Sequence, residues 1–165
     1  MITFQEAQKD NLAFINDTYN ESIPAGLATA DTQNLPMEER EIWFAQHQKS
    51  NRPVWILKNE EAQSVGWLSL SNFYGRPAYR NTVEISLYIS NKHQGKGYGK
   101  MALATLIELA PGLAIQNLMG FIFAHNEASI RLFQHFGFET WGLFPEIAHM
   151  PQGNRSLMIL GKKLK

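Results

Sequence analysis

The residues best suited to chemistry are the run Gln94-Gly95-Lys96-Gly97-Tyr98-Gly99 and a carboxylate upstream of it, Glu84. Three glycines at alternate positions leave successive backbone N–H groups uncovered by side chains. A helix starting just after them would aim the positive end of its dipole at the same spot. That is the chemistry of an anion cradle. The spacing is neither the dinucleotide fingerprint nor the longer phosphate loop ending in Lys-Ser/Thr, and taken alone it also admits a plain glycine-rich turn. Glu84 could accept a proton from a nucleophile; a solvated strand glutamate, or an ion pair with Arg80, is the other reading.

These residues need particular elements around them. Thr82 to Ile89 alternates as a strand, with Val83, Ile85, Leu87 and Ile89 on one face and Glu84, Ser86 and Tyr88 on the other. Met101 to Leu109 reads as a helix stopped by Pro111-Gly112, so strand, glycine run and helix follow in succession. Upstream, a short opening strand precedes a helix that Asp10 or Asn11 could cap and that ends before Pro24. A polar loop then leads to a half-buried helix from Met37 to Gln48 carrying Ile42, Trp43 and Phe44. Val54–Leu57 and Ser64–Leu70 read as an antiparallel hairpin. Downstream come a strand from Leu118 to Ala124, a helix from Glu127 to His135, a strand starting at Gly137, and a last strand from Ser156 to Leu160. Aromatics such as Trp67, Phe73, Tyr74 and Trp141 are of the kind that fill the core between sheet and helices.

The pattern predicts one α/β (α+β layered) domain over residues 1–165, with a mixed sheet. Fifteen basic and fifteen acidic side chains cancel, which gives no general attraction to nucleic acid or to an anionic membrane. The expected partner is small. With no cysteine there is no acyl-cysteine intermediate, so any acyl transfer would be direct. His93, His125, His135 and His149 lack the spacing of a metal site, and none is expected. Neither a targeting segment nor a membrane-length apolar run is visible, which makes the cytoplasm the expected location.

Two ordered segments carry a resemblance. Gln94-Gly95-Lys96-Gly97-Tyr98-Gly99 matches the Gln/Arg-x-x-Gly-x-Gly/Ala signature of the GNAT superfamily of N-acetyltransferases. Asn126-Glu127-Ala128-Ser129-Ile130-Arg131-Leu132 with Gly137-Phe138 is similar to a second block of the same enzymes. Tyr19-Asn20-Glu21, the Glu39-Arg40 to Trp43-Phe44 helix and Tyr79-Arg80-Asn81-Thr82-Val83-Glu84 extend it toward the phosphinothricin and methionine-sulfoximine acetyltransferase branch.

The resemblance implies a mostly antiparallel sheet of about six or seven strands with about four helices, and acetyl-coenzyme A as donor. It implies that Leu87, Tyr88 and Ile89 pair with the pantetheine arm, and that Gln94, Gly95, Lys96, Gly97, Tyr98, Gly99 and Lys100 hold the pyrophosphate. Asn126 and Ser129 would contact the cofactor from the opposite strand end. Glu84 would be the base, and Tyr74, Gly75, Arg76, Arg80, Ile85 and Ser86 would hold a small amine, an amino acid or its analogue. A homodimer is implied on the same ground. The chain departs from the branch at Phe133, where relatives have a tyrosine or histidine that protonates the leaving thiolate. It departs again at Gly153-Asn154-Arg155-Ser156, where they carry a Gly-Arg-Trp-x-Asp type segment. A protein N-terminal or lysine acetyltransferase and a non-catalytic acyl-coenzyme A sensor are the alternatives.

Overall fold

Strong alternation and clusters of β-branched and aromatic residues produce seven strands that join one sheet. In the computed structural model, which describes residues 1–165, these are β1 (Thr3–Glu6), β2 (Val54–Lys58), β3 (Ser64–Asn72), β4 (Thr82–Ile89), β5 (Asn117–Phe123), β6 (Glu139–Met150) and β7 (Gly153–Lys163). Their spatial order is β1-β2-β3-β4-β5-β7-β6, and every pairing is antiparallel except β4 with β5. Four helices complete the fold: α1 (Leu12–Glu21), α2 (Met37–Ser50), α3 (Tyr98–Leu109) and α4 (Glu127–His135). No helix is long and apolar enough to cross a membrane.

The sheet is covered on both faces. Ala102, Leu103 and Leu106 of α3 and Phe133 of α4 pack onto Val83, Ile85, Leu118 and Leu160. Leu12 and Ile15 of α1 and Phe44 of α2 pack onto Ile56 and Trp67 on the opposite face. Burying aliphatic side chains of this size contributes about 1.5–3 kcal/mol apiece. Since β4 alternates, its aliphatic residues enter the first layer and Glu84, Ser86 and Tyr88 turn toward the second.

Several elements differ from their sequence expectation. Helix α2 leaves Ile42 exposed and buries Arg40, Phe44 and His47. Buried Arg40 is accommodated because its Nε donates to Asn16 Oδ1 and its guanidinium carbon lies 4.7, 4.5 and 5.5 Å from the rings of Tyr19, Trp43 and Trp67. Such cation–aromatic contacts offset part of the desolvation of a buried charge. Helix α3 starts at Tyr98, earlier than Met101, and the last two strands form a hairpin longer than the alternation suggested. Trp67 is core, whereas Tyr74 is exposed and Trp141 is half-exposed, its ring lying over Gly161.

β4 and β5 pair over four rungs only, from Thr82–Asn117 to Ile85–Gly120, and then part. At the last rung the Phe133 ring fills the space above Gly120, where an added Cβ would meet Phe133 Cε2 at 2.6 Å. Gly120→Ala is therefore expected to lower stability by about 1–3 kcal/mol through overpacking. Urea denaturation of this variant alone and combined with Phe133→Leu checks it, the smaller side chain restoring part of the loss.

Candidate active site

The glycine run forms a left-handed turn at the mouth of the parted strands. Gly95 and Gly97 take φ of 76° and 82°, a region costly for residues bearing a Cβ, and both positions open onto empty space. Gly97 is the N-cap of α3, and its carbonyl accepts from Met101 N at 3.1 Å. The N–H groups from Gly95 to Lys100 find no acceptor in the chain, so unpaired donors and a helix N-terminus converge there. Lys96 and Lys100 are exposed beside them. The Gln94 side chain instead braces the turn, donating to the carbonyl of Ile89 at 3.2 Å.

Where β5 departs, β4 keeps its register with β3 and exposes its other edge. Ser90 N donates to Val65 O, and the unbroken β3–β4 register carries that alternation back along the strand. The polar backbone groups of Tyr88 and Ser86 therefore engage β3, while those of Leu87 and Ile89 point into the gap. Of the three residues expected to pair with an extended arm, Leu87 offers a free N–H and carbonyl and Ile89 a free N–H, its carbonyl being held by Gln94. Tyr88 contributes its ring, which stacks on Trp67 at 4.9 Å.

A cavity of about 480 Å³ runs through the gap. Leu87, Gly120, Ile122, Asn126, Ser129 and Phe133 line it on the α3/α4 side, and Glu84, Ser86, Tyr88, Phe121 and Phe123 on the other. Burial pushes the Glu84 carboxyl above its ordinary value. No guanidinium or ammonium answers it: the chain's ion pairs are Met1 N with Glu60 and Arg131 with Glu127. The alternative of a Glu84–Arg80 pair is thus not what the fold forms. A half-buried, unpaired carboxyl facing an apolar cavity is the environment in which a carboxylate becomes a better base.

The residues Leu27 to Ala30 roof this compartment. Each hold on the roof comes from a different element. Tyr88 OH donates to Ala28 O at 3.1 Å, Asn126 Nδ2 to Leu27 O at 3.2 Å, and Tyr19 OH is bonded to Thr29 Oγ1 and Asp31. His125 Nε2 lies 3.2 Å from Gly26 O. Burial and the Asp31 contact push the Tyr19 hydroxyl up to about 12, and burial also raises that of Tyr88, so both remain neutral bracing groups.

The expected residues thus divide. Glu84, Ile85, Ser86, Leu87, Tyr88, Asn126 and Ser129 share the cavity wall, whereas Ile89 and the run from Gln94 to Lys100 do not line it; the run adjoins it through Gly99, where an added Cβ would lie 3.5 Å from Leu132 of the wall. Asn126 also caps α4, its Oδ1 accepting from Ser129 N at 3.3 Å. Tyr74, Gly75, Arg76 and Arg80 lie in the exposed β3–β4 connection and line no part of the cavity. Sequence reasoning missed the roof and the far wall of Ile147, Ala148 and Leu157, which are small or apolar residues with no chemical signature and reach the site only by tertiary packing.

A positive-φ glycine turn with open N–H groups ahead of a helix, beside a split sheet whose free strand edge and unpaired carboxyl lie on one strand, is the build of a coenzyme A-dependent acyltransferase. The chain belongs to the acetyltransferase (GNAT) family, whose pattern it matches over residues 14–138, and its acetyl donor is acetyl-coenzyme A. It is 41% identical over 163 residues to YwnH of Bacillus subtilis (strain 168), provisionally named a phosphinothricin acetyltransferase, with 99% of each chain covered. It is 29% identical to an L-methionine sulfoximine/L-methionine sulfone acetyltransferase of Salmonella typhimurium, over 88% of this chain and 85% of that one. The structure of a GNAT superfamily phosphinothricin acetyltransferase from Sinorhizobium meliloti in complex with AcCoA superimposes with a TM-score of 0.91 at 27% identity, covering 99% of this chain and 88% of that one.

Two outcomes test this geometry. Gly97→Asp adds a side chain at positive φ and a negative charge inside the cradle, so acetyl-coenzyme A binding measured by calorimetry should weaken at least ~100-fold. Glu84 bears on stability as well. Its folded pKa is raised, so the stability contributed by its neutral form is fully present below the unfolded value and is lost as pH rises through the folded one. Glu84→Gln should therefore exceed the wild type in urea midpoint near neutral pH, with the difference closing toward about pH 4.

Proposed function

We propose that the protein transfers the acetyl group of acetyl-coenzyme A directly to the primary amine of a small molecule, an amino acid or amino-acid analogue, with Glu84 as general base. The observation that carries this reading is Glu84 itself: half-buried, unpaired, and facing a cavity that continues into the strand gap as far as Leu87 and Tyr88. The acceptor class follows the relatives named for phosphinothricin and methionine sulfoximine.

In this reading Gly95 to Lys100 hold the pyrophosphate, and Leu87 and Ile89 take the amides of the pantetheine arm as an added strand. The thioester then lies beside the Leu87 N–H, which points into the gap and stabilises the oxygen as negative charge develops on it. An amine entering beneath Leu27–Ala30 is protonated in water and must lose a proton to attack. Glu84 takes it directly or through one water, and burial, by raising its basicity, favours that transfer. Phe133 has no proton for the leaving thiolate. The Tyr88 hydroxyl, raised by burial and already donating to Ala28 O, is a poor acid, so solvent at the open mouth of the gap supplies it.

The test is thiol release from acetyl-coenzyme A across a panel of amino acids and their analogues. Glu84→Gln should lower kcat by about 10²–10⁴-fold with little change in acetyl-coenzyme A affinity. In the wild type, kcat should rise with pH through a value above the ordinary glutamate range, because the ionised form is the active one. An unchanged rate in the variant, or no release with any amine, would reject the assignment.

A further inference from the structure

The cavity wall carries one carboxyl and no lysine or arginine, yet an amino-acid acceptor brings negative charge as well as an amine. Just beyond the wall stands Arg155 on β7. It pairs with Ala148 of β6 and lies two residues from Leu157, and both of these line the cavity. Strand alternation puts Arg155 and Leu157 on one sheet face, and the rungs Glu84–Met119 and Met119–Gly161 show it to be the face of Glu84.

Arg155 has no ion pair and no side-chain hydrogen bond, and its Nε is buried without a partner. A second orphan borders it. Past the last β5–β7 rung, Phe123–Leu157, Ala124 N still donates to Ser156 O at 2.9 Å, which keeps the turn that carries His125 beside the β7 segment of Arg155. His125 Nε2 is engaged with Gly26 O of the chain that leads into the roof, and its Nδ1 is buried without a partner. Buried polar nitrogens are normally satisfied, so two left open at the edge of a cavity, one on β7 and one in the turn after β5, call for a group the chain does not supply.

We propose that Arg155 binds an oxyanion of the acceptor, at a subsite bounded by His125, Ala148 and Leu157. The register also limits which oxyanion. Counted from the last rung that the three strands share, Ile85–Gly120–Leu160, Leu87 lies two residues along β4 and Arg155 five along β7, which places Arg155 about 10 Å further along than Leu87, where the thioester is attacked. A guanidinium reaching back from there meets a negative group several bonds from the amine, such as the side-chain carboxylate or phosphinate of a glutamate-like amino acid, and not the α-carboxylate. A guanidinium fork suits either oxyanion. Arg155 occupies the segment in which the chain departs from the branch pattern, so the subsite belongs to this sequence and not to the general scheme.

The inference rests on the amine-acetylating reading above, and the experiment separates the two. Steady-state kinetics are measured for matched acceptors differing in side-chain charge: L-glutamate against L-glutamine, and phosphinothricin against methionine sulfone. The wild type is expected to favour the anionic member in kcat/KM. Arg155→Gln should raise KM for the anionic member about 10- to 100-fold more than for the neutral one, with kcat nearly constant. Arg155→Lys should recover part of the preference, which a merely structural arginine would not do, and thermal midpoints of both variants check the fold. Turnover without a charge preference, or equal effects of Arg155→Gln on both members, overturns the subsite and leaves acetyl transfer standing. Loss of preference in Arg76→Gln with none in Arg155→Gln would move the anion to the exposed β3–β4 connection and likewise overturn it. No turnover with any amine would instead fail the reading on which it rests.

Discussion

Four rungs of parallel pairing join β4 to β5, and beyond Ile85 and Gly120 the two strands separate while each keeps its other neighbour. Backbone N–H and C=O groups left open inside a protein cost about 1–3 kcal/mol each, so a fold does not leave such an edge without use. Everything functional follows from that separation. It opens the cavity and frees the edge of Leu87 and the N–H of Ile89, with the first turn of α3 adjoining the wall at Leu132. It also joins the two faces of the sheet, so that a group held on the α3/α4 side can meet one that enters under the roof.

The two faces are built differently because they do different work. Beneath α3 and α4 the packing is almost wholly aliphatic and aromatic, a rigid wall that fixes Phe133 over Gly120. Beneath α1 and α2 lie Arg40, Asn16 and His47 among Tyr19, Trp43, Trp67 and Tyr88. Desolvation drives the His47 pKa down, and its Nδ1 engages Trp43 O while Nε2 reaches Ser71 Oγ, so it is a neutral structural histidine. This aromatic and polar layer carries Tyr88, whose hydroxyl holds the roof at Ala28. The height of the acceptor compartment therefore depends on packing far from the reacting atoms.

Phe133 shows how the same position can serve packing in place of chemistry. Its ring contacts the Gly120 backbone and stands edge-on to Phe138 at 4.9 Å. A hydroxyl there would face the cavity with proton-donating ability, whereas phenyl completes the aliphatic layer.

Much was legible from residues alone: seven strands and four helices at nearly their observed places, the Glu84 face of β4, and the glycine turn ahead of α3. Each is a local matter of alternation, helical period or positive-φ glycine, and local physics acts over a few residues. The roof at Leu27–Ala30, the wall at Ile147–Leu157, the buried Arg40, the exposure of the Arg76 connection and the open nitrogens of Arg155 and His125 had no such signature. They depend on which strands part and which loops cross the gap, decided by burial and hydrogen-bond satisfaction among residues distant in the chain. The sequence by itself determined that a glycine turn ahead of a helix and a strand carboxylate exist. Only the tertiary structure decided that the carboxylate opens onto a cavity whose Leu132 wall the glycine turn adjoins, because the parting of β4 from β5 is a property of the whole sheet.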